Sequence, residues 1–539
     1  MELAQSTAWK GIAVGEQLYA FSPMIALIVT MLAIVACPLL IGRGARTIAS
    51  VTLMGVLVSL VMCFRVGAVI PDGGLSGLST QSSSAILLVD NLSIGFEIIL
   101  LVFMVGVMGL WLVGSCDREK NAPEFFILLV GSALGMALMV STANLLMMVI
   151  AMETASLPSF ALVGFDKSNR RGAEASLKYM IFGAVSAAIM LYGVSLLYGL
   201  AGSLGIPEVA GYVVDQLADG PNKILTMIAL LCVFVGIAFK ISAVPFHFWC
   251  PDAFEGAKIE VTTWLSVVSK AAGLVMLVRI LTFFSAAVPN ELAMSILSPI
   301  VWAIAIVAMA TMTVGNFAAY RQESVKRMLA YSSIAHAGYM LSAAAVLLHP
   351  SGAGSASPIS ALLAYVLVYL FMNLGAFGTT ALVSWHTGND RLDSFSGLMR
   401  RAPMLAVPMV MCLVSLIGLP IFAGFVAKWW ILISLGQMGG TVGWVLVSVV
   451  VANSLFSVYY YMRIVVKMTL VDDGQPVIRS SPIGIGLVNA CALLLIILFF
   501  AANPLKQTAD RYAENLVTSA SVSSSQEATV ASASTAEDK

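Results

Sequence analysis

Long runs of apolar residues recur along almost the whole chain and constrain its fold more than any other feature. A helix that crosses a bilayer needs about 20 apolar residues, and the sequence contains about fourteen such runs. They lie near residues 21–41, 48–68, 93–113, 124–140, 142–165, 176–200, 223–246, 258–282, 294–315, 325–347, 358–384, 403–431, 441–468 and 483–502. The runs predict an all-α polytopic membrane protein with about fourteen transmembrane helices.

Composition supports this class and excludes others. Of the 539 residues, 60% are hydrophobic and only 10% are charged, whereas soluble domains carry roughly a quarter charged residues. Acidic and basic residues balance at 28 each, so no net charge attracts nucleic acid. The seven cysteines show no CxxC or Cys/His spacing, and we expect them to be small buried hydrophobic residues.

The distribution of basic residues predicts how the helices are oriented. If the N-terminus faces outward, most of the 28 basic residues fall in inside loops, as the positive-inside rule requires. The smaller outside set consists of Lys10, Arg65, Lys223, Arg279, Lys506, Arg511 and Lys539. Residues 1–20 lack the features of a signal peptide. We therefore expect both termini on the outer, periplasmic side of a bacterial inner (plasma) membrane.

Several ionisable residues lie within or at the edges of the apolar runs. Such a residue costs about 2.5–3.5 kcal/mol on insertion scales, so it usually faces the protein interior and has a function. The set consists of Glu153, Lys178, Lys240, His247, Lys270 and Lys428, with His336 as a further candidate. The alternative is that these residues form buried ion pairs, that Lys178 extends to the interface, and that His336 is a hydrogen-bonded core histidine.

Carboxylate, lysine and histidine in one membrane layer can carry protons. Burial destabilises the charged form of a lysine, and a nearby carboxylate stabilises it again. A lysine whose partner moves closer or farther can therefore take up and release a proton near neutral pH. His247 offers a further exchange group. The set predicts a proton relay that needs neither a redox centre nor a metal.

Prolines are expected to break helices beside these charges, at Pro158, Pro245 and Pro420. Proline removes a backbone hydrogen bond, and irregular backbone is tolerated in a bilayer only where protein or water satisfies it. Segments 223–249 and 403–430 form a matching pair, since each contains a proline and a lysine and ends in an aromatic cluster. Paired broken helices indicate inverted repeats around an ion path at the membrane midplane.

Six stretches carry a resemblance to a known family. They are AMETASLPSFALVGF, AEASLKYMIFGAVSAAIMLYGVSLLYGLAGSL, FKISAVPFHFWCPDAFEGA, VTTWLSVVSKAAG, VKRMLAYSSIAHAGY and GLPIFAGFVAKWW. With these stretches, in order and spacing from about residue 90 to 470, the chain resembles the antiporter-like membrane subunits of respiratory complex I. PFHFWCPDAFEGA followed by VTTWLSVVSKAA is most similar to the subunit N family, rather than to subunits L and M or the Mrp antiporters.

The resemblance implies fourteen helices with two inverted five-helix repeats around broken helices. The organisation that follows is N-terminal helices, a first half-channel, a second half-channel, a C-terminal helix and a tail, in residues 1–120, 121–285, 286–470, 471–516 and 517–539. The tail is small and polar in composition, which predicts disorder.

In such subunits a Glu–Lys pair, a central lysine and a terminal lysine carry protons across half-channels. Glu153 matches the glutamate on helix five, and Lys178 matches the basic residue at the start of helix six. Lys240 matches the lysine of the first broken helix, with His247 after it.

The second half of the relay is implied in the same way. Lys270 matches the lysine on helix eight, and Lys428 matches the residue on the second broken helix. Cys250 and Lys258 depart from the family pattern, so the resemblance does not predict the contacts of the loop that holds them.

The function implied is that of a proton-translocating membrane subunit of NADH:quinone oxidoreductase. It would couple quinone reduction in neighbouring subunits to proton transfer through the buried relay. Quinone, NADH, FMN and iron–sulfur clusters are expected in partner subunits, because this chain shows neither a nucleotide-binding GxGxxG nor a cysteine ligand spacing. Its expected partners are the other membrane subunits, the lipid bilayer and, indirectly, the peripheral redox arm.

Two alternatives remain. A stand-alone Mrp-type cation/proton antiporter would use the same relay but would need an oxygen-rich sodium site, for which Glu97 is the additional intramembrane acidic candidate. A structural subunit would use its charges only to hold helices together.

Overall fold

The computed structural model of the chain describes residues 18–69, 86–116, 119, 121–289, 291–349, 357–471, 477–478 and 480–513. Residues 71–84, the tail 517–539 and the basic residues Lys10, Arg118, Lys120, Arg479 and Lys539 lie outside the described residues. In the described ranges the regular secondary structure is α-helical, apart from a 3-10 turn at Leu392–Phe395 and isolated β-bridges between loops.

The helices are labelled in chain order. They are α1 (Ser22–Leu40), α2 (Ala45–Val69), α3 (Asn91–Gly114), α4 (Ala122–Ser141), α5 (Leu145–Val163), α6 (Arg170–Ala201), α7 (Ile206–Asp219), α8 (Lys223–Ile241), α9 (Trp249–Gly256), α10 (Ile259–Ala287), α11 (Ala293–Ala319), α12 (Val325–Leu347), α13 (Ser357–Thr387), α14 (Pro403–Ile417), α15 (Ala423–Met438), α16 (Gly440–Leu470) and α17 (Pro482–Phe500). A single turn, Leu398–Arg401, precedes α14, and residues 502–513 are also helical.

The predicted all-α membrane class is confirmed. Twelve of the described helices are long and apolar enough to cross a membrane. The run 403–431 divides into the shorter helices α14 and α15, and α12 is less apolar because hydroxyl, histidine and basic residues interrupt it. The total of fourteen spans and the inverted repeats therefore stay predictions.

Sequence reasoning missed α7, which is amphipathic. Its buried residues include Ile206, Val209, Val213 and Leu217, which recur at helical spacing. Charged residues separate them, so the segment lacks the continuous apolar run that indicates a span. The helix packs against α10.

The centre of the fold is formed by α10 and α13. In their most apolar stretches, 94% and 89% of the residues are buried, against 33% in α1 and α2. The helix α10 packs against α4, α8, α12 and α13. It can therefore hold polar residues on several sides away from lipid.

Two gaps interrupt the helical path where the prolines lie. The helix α8 ends at Ile241, and the chain runs through Ser242 (φ 60°) and a cis Val244–Pro245 bond before α9 begins. In this gap the amide of Val244 donates to the Thr311 hydroxyl of α11 at 3.0 Å. The second gap separates α14 from α15 and contains Gly418, Pro420 and Ile421, of which Gly418 and Ile421 have positive φ.

The expected break at Pro158 is wrong. Pro158 lies inside α5, which continues to Val163. A proline ring costs one hydrogen bond in a helix, and a neighbouring helix can accommodate the distortion. Here α4 presents glycines: a Cβ on Gly131 would lie 3.6 Å from the Pro158 ring, and one on Gly135 would collide with the α5 backbone. The two helices therefore pack closely across the proline.

Arg279, one of the basic residues in the predicted outside set, is buried. It lies in α10 with no exposed surface, and its Nη2 is 2.8 Å from Oδ1 of Asp90. Its Nε donates to the carbonyl of Val140 at 2.7 Å, and Asp90 also caps α3 by accepting from the Ser93 amide. The pair joins α10 to the ends of α3 and α4.

Candidate functional site

Lys240 lies in the last turn of α8 at the first gap and is fully buried. Its Nζ donates to the Ser156 hydroxyl of α5 at 3.1 Å. Glu153 lies one turn before Ser156, is half-buried, and interacts electrostatically with Lys240. Gly273 of α10 makes room for the lysine, since a Cβ there would lie 3.3 Å from the Lys240 stem. The lysine thus lies between a carboxylate on one helix and the central helix on the other side.

Lys270 is fully buried in the middle of α10. Its Nζ donates to the Cys250 thiol at 3.4 Å and lies over the Phe254 ring, 4.6 Å from its centroid. Both partners belong to α9, which directly follows the first gap. The sulfur of Cys250 is in turn 4.0 Å from the Ser333 hydroxyl of α12. Cys250 therefore lies between the Lys270 ammonium and the helix that carries His336.

His336 is buried in α12 among hydroxyl groups. Its Nδ1 is 2.7 Å from the Tyr365 hydroxyl, and its Nε2 is 3.4 Å from the Tyr461 hydroxyl, which also hydrogen bonds Ser332. The ring stacks on Tyr369 with centroids 4.9 Å apart. The expected core histidine is hydrogen-bonded, and both ring nitrogens face groups that can exchange protons.

Lys428 lies in α15 beside the second gap and is 6% exposed. Its Nζ donates to the carbonyls of Leu416 and Ile417 at 3.1 and 2.8 Å, which are the last carbonyls of α14. It also lies over the Tyr339 ring, 4.8 Å from the centroid, and interacts electrostatically with His336. Lys428, which belongs to α15, therefore caps the C-terminal end of α14, the other half of the broken helix.

His247 lies in the first gap, between α8 and α9. It is 6% exposed, and its ring packs on Phe248 with centroids 4.4 Å apart. Its Nδ1 is buried and has no hydrogen-bond partner. The imidazole lies in the gap, close to the backbone of Pro245.

Lys178 differs from the other lysines. Its side chain is 44% exposed, and its Nζ forms ion pairs with Glu174 at 2.9 Å and Asp252 at 3.0 Å. The electrostatic partner of Glu153 is Lys240. Glu153 therefore interacts with Lys240, and Lys178 joins α6 to α9.

We expect Lys178→Met to lower proton uptake by less than about twofold, because partly exposed ion pairs contribute little. The measurement is proton uptake by native membrane vesicles, normalised to the amount of assembled complex. A loss as large as that caused by replacing a buried lysine would place Lys178 in the relay itself.

The charged residues lie on a series of packed helices. The hydrogen bond from Lys240 to Ser156 joins α8 to α5, and the pairs α8 and α10, α10 and α12, and α12 and α15 are in contact. The order Glu153, Lys240, Lys270, His336, Lys428 therefore crosses the protein from the first gap to the second. These residues therefore lie on neighbouring helices inside an apolar chain.

Sequence reasoning missed two buried acidic groups. Glu260, in the first turn of α10, is 1% exposed and accepts a hydrogen bond from the Ser115 hydroxyl. Asp90 pairs with Arg279, which has apolar neighbours on both sides in the sequence and could have been recognised from them. Glu260 could not be recognised in this way, because it lies at the edge of an apolar run, two residues after Lys258.

The described residues contain no group of three or more histidine, cysteine, aspartate or glutamate side chains that could hold a metal ion. The seven cysteines are free thiols. They lie on different helices or loops.

Comparison with known proteins gives a consistent result. Residues 142–456 match the family model described as NADH:quinone oxidoreductase/Mrp antiporter, TM. The chain is 41% identical to NADH-quinone oxidoreductase subunit N 2 of Sorangium cellulosum, over 70% of this chain and 73% of the relative. It is 35% identical to NADH-quinone oxidoreductase subunit N of Rubrobacter xylanophilus, over 86% of this chain and 91% of the relative.

Solved structures share the fold. A chain of respiratory complex I from Thermus thermophilus matches with a TM-score of 0.71 and 30% identity, over 90% of this chain and 98% of that one. A chain of the Mrp complex from Dietzia matches with a TM-score of 0.78 at 18% identity, over 94% and 99% of the two chains. The second likeness concerns the fold alone.

Proposed function

This chain belongs to the NADH:quinone oxidoreductase/Mrp antiporter transmembrane family, and from that premise we propose that Glu153, Lys240, Lys270, His336 and Lys428 form its proton relay. The chain is a proton-translocating membrane subunit of NADH:quinone oxidoreductase. Its partners are the other membrane subunits of a complex I assembly, and the enzyme activity belongs to that assembly.

One observation carries the proposed relay. Lys240, Lys270 and Lys428 are each at most 6% exposed, and their ammonium groups meet a hydroxyl, a thiol and two carbonyls respectively. These partners are neutral, so they accept a hydrogen bond from the charged lysine without fixing the charge as a carboxylate would. Each lysine can then lose its proton at a moderate cost and regain it from its neighbour.

Glu153 sets the direction of transfer at the first gap. When its carboxylate is close, the proton stays on Lys240, and when that influence weakens the proton is released towards Lys270. The step from Lys270 to His336 passes the Cys250 thiol and the Ser333 hydroxyl, with water as carrier. His336 then exchanges with Lys428, whose electrostatic influence it feels. His247, whose imidazole lies in the gap, exchanges protons at the break itself.

The energy for transport comes from outside the chain. Moving one charge against 100 mV costs about 2.3 kcal/mol. We place quinone, NADH, FMN and iron–sulfur clusters in partner subunits, because the scattered cysteines of this chain do not fit a cluster. No step of the relay is routed through these groups. The chain's own residues hold and move the proton.

We further propose a bacterial inner membrane with both termini outward. The bias of basic residues supports this orientation. The faces of the protein are named accordingly: the basic face carries the connections between α3 and α4, α5 and α6, and α9 and α10.

Lys428→Met tests the relay against both alternatives. We expect proton uptake and quinone reduction to fall together, by about a hundredfold, because methionine keeps the apolar stem but cannot hold a proton. The measurement uses native membrane vesicles, with and without sodium and an uncoupler, normalised to assembled complex. Lys467→Met is the matched control, since Lys467 lies at the end of the next helix and pairs with the exposed Asp393.

Other outcomes favour the alternatives. If only sodium-dependent proton exchange is lost and quinone reduction is unchanged, the chain acts as an antiporter. If assembly falls while the activity per assembled complex is unchanged, the charges are structural. The surroundings of Glu97 argue against the first alternative, because its Oε2 accepts from the Cys63 thiol rather than lying among oxygen ligands.

A further inference from the structure

A cavity of about 570 Å³ opens at the basic face beside the start of α10. Its wall is formed by the end of α3, the segment before α4, the α5–α6 connection, the first residues of α10 and Trp385 near the end of α13. The polar and charged residues that line it are Ser115, Glu119, Asn121, Asp166, Lys167, Ser168, Lys258 and Glu260. None of the proposed relay residues lies in this wall, so the cavity is separate from the relay.

The rim of the cavity is exposed and charged. Lys167 and Ser168 are exposed. The Ser168 hydroxyl donates to Asp166 at 2.6 Å and holds the pKa of that carboxyl below its usual value. Lys258 forms an ion pair with Glu119, whose side chain is 9% exposed. The rim therefore carries fixed charges of both signs around a polar opening.

The floor of the cavity is a buried acid. Glu260 lines the cavity but is only 1% exposed, and it accepts a hydrogen bond from the Ser115 hydroxyl. Lys258 and Lys326 interact with it electrostatically, and Lys326 is held by donating to the Ala257 carbonyl at 2.9 Å. Glu260 is thus the deepest acidic group that the cavity reaches.

A polar stripe leads from Glu260 to Lys270 along α10. Thr263, Ser266 and Lys270 are all fully buried. At 100° per residue, positions 260, 263, 266 and 270 fall within about one third of the helix circumference, over a rise of about 15 Å. The two hydroxyls donate to the carbonyls of Ile259 and Thr263, both at 2.7 Å, which leaves their oxygens free to accept from water.

From these contacts we propose that this cavity is the vestibule through which protons reach the relay from the basic face, with Glu260 as the group that takes them from water and passes them along Thr263 and Ser266 to Lys270. The inference rests on the proposed function, because it adds an acceptor to that relay. Lys258 is its positioning residue: the ion pair with Glu119 holds Lys258 at the opening, beside the Glu260 carboxylate. The two departures noted in the sequence, Cys250 and Lys258, thus lie at the two ends of one route.

Glu260→Gln removes the exchangeable proton and keeps a hydrogen-bond partner for Ser115. We expect proton uptake and quinone reduction to fall by about threefold or more. The fall should be smaller than the roughly hundredfold effect of losing a proton donor, because water in the cavity offers a second route. The assay is that used for Lys428→Met. The matched control is Glu124→Gln, on the same face, whose side chain is 47% exposed and lies outside the cavity wall. Unchanged activity in an assembled Glu260→Gln complex overturns the proposal.

A rescue experiment separates proton uptake from a structural role. In Glu260→Ala the removed side chain leaves room that the cavity connects to solution, so added formate should restore part of the activity. Lys428→Met, which lies away from the cavity, should not respond. Rescue of Glu260→Ala alone supports the proposal, and absence of rescue overturns it.

A second variant covers the case in which Glu260 variants do not assemble. Ser168→Cys places a thiol at the exposed rim, and a bulky charged thiol reagent on it should slow proton uptake by obstructing the vestibule. Arg321→Cys, exposed in the connection between α11 and α12 and outside the cavity wall, is the control. Labelling of Ser168→Cys without any slowing overturns the vestibule. If Lys428→Met also leaves proton uptake unchanged, the proposed relay is wrong. If proton uptake falls in Lys428→Met but not in the labelled or Glu260 variants, the relay stands and only the vestibule is wrong.

Discussion

Lys240→Met is expected to abolish most proton uptake and quinone reduction while the complex still assembles. The fall should reach about a hundredfold per assembled complex, the lower range for loss of a positioned proton-transfer group. Methionine fits beside Gly273 because its apolar stem is similar in length to that of lysine, but it cannot carry a proton between Glu153 and the central helix. Both rates are measured together in native membrane vesicles, and the amount of complex is measured on native gels.

Lys223→Met is the matched control for this change. Lys223 lies at the opposite end of the same helix, is exposed, and donates only to the Ala218 carbonyl at 3.5 Å. Its replacement should leave both rates unchanged. An assembled Lys240→Met complex that still takes up protons at the normal rate would show that the relay does not pass through the first gap.

Arg279→Met should destabilise the protein more than any relay substitution. The change leaves the carboxylate of Asp90 buried at 2% exposure without its partner, and breaking a buried ion pair in this way costs about 3–5 kcal/mol. We expect less assembled complex and a lower temperature for loss of the chain from it. The proton uptake of the complex that remains should be close to normal.

Two further variants test this explanation. Arg43→Met removes a partly exposed ion pair with Glu124, separated by 3.8 Å, and should change stability by less than about 1 kcal/mol. Adding Asp90→Asn to Arg279→Met should restore part of the stability, because asparagine still caps α3 and carries no charge. No recovery in the double variant would mean that the unpaired carboxylate is not the cause.

The sequence predicted those features that depend on residues close to one another in the chain. Apolar runs predicted the spans because each helix must satisfy its own backbone in lipid. Lys240, Lys270 and Lys428 were found because an ammonium group in an apolar run is conspicuous within a few residues. Pro245 and Pro420 lie in the helix gaps, but Pro158 does not, because the glycines of α4 that accommodate it lie more than twenty residues earlier.

Pairings between distant segments could not be predicted. The partners of Lys178 are Glu174, one turn away, and Asp252, which lies on another helix. Glu260 is an ordinary residue at the edge of a run until Ser115 and the α5–α6 connection close around it. In both cases the chemistry depends on which segments tertiary packing brings together, and a single sequence does not contain that information.

The contact between Lys428 and α14 has a mechanical consequence. The last carbonyls of a helix carry about half an elementary negative charge, and here the Lys428 ammonium compensates the carbonyls of Leu416 and Ile417. When Lys428 loses its proton, this end of the helix loses its counter-charge and one fewer hydrogen is available to the two carbonyls. The arrival of each proton should therefore draw the two halves of the broken helix together, and its departure should loosen them. The same lysine would then both hold the proton and control how closely the two halves of the broken helix pack.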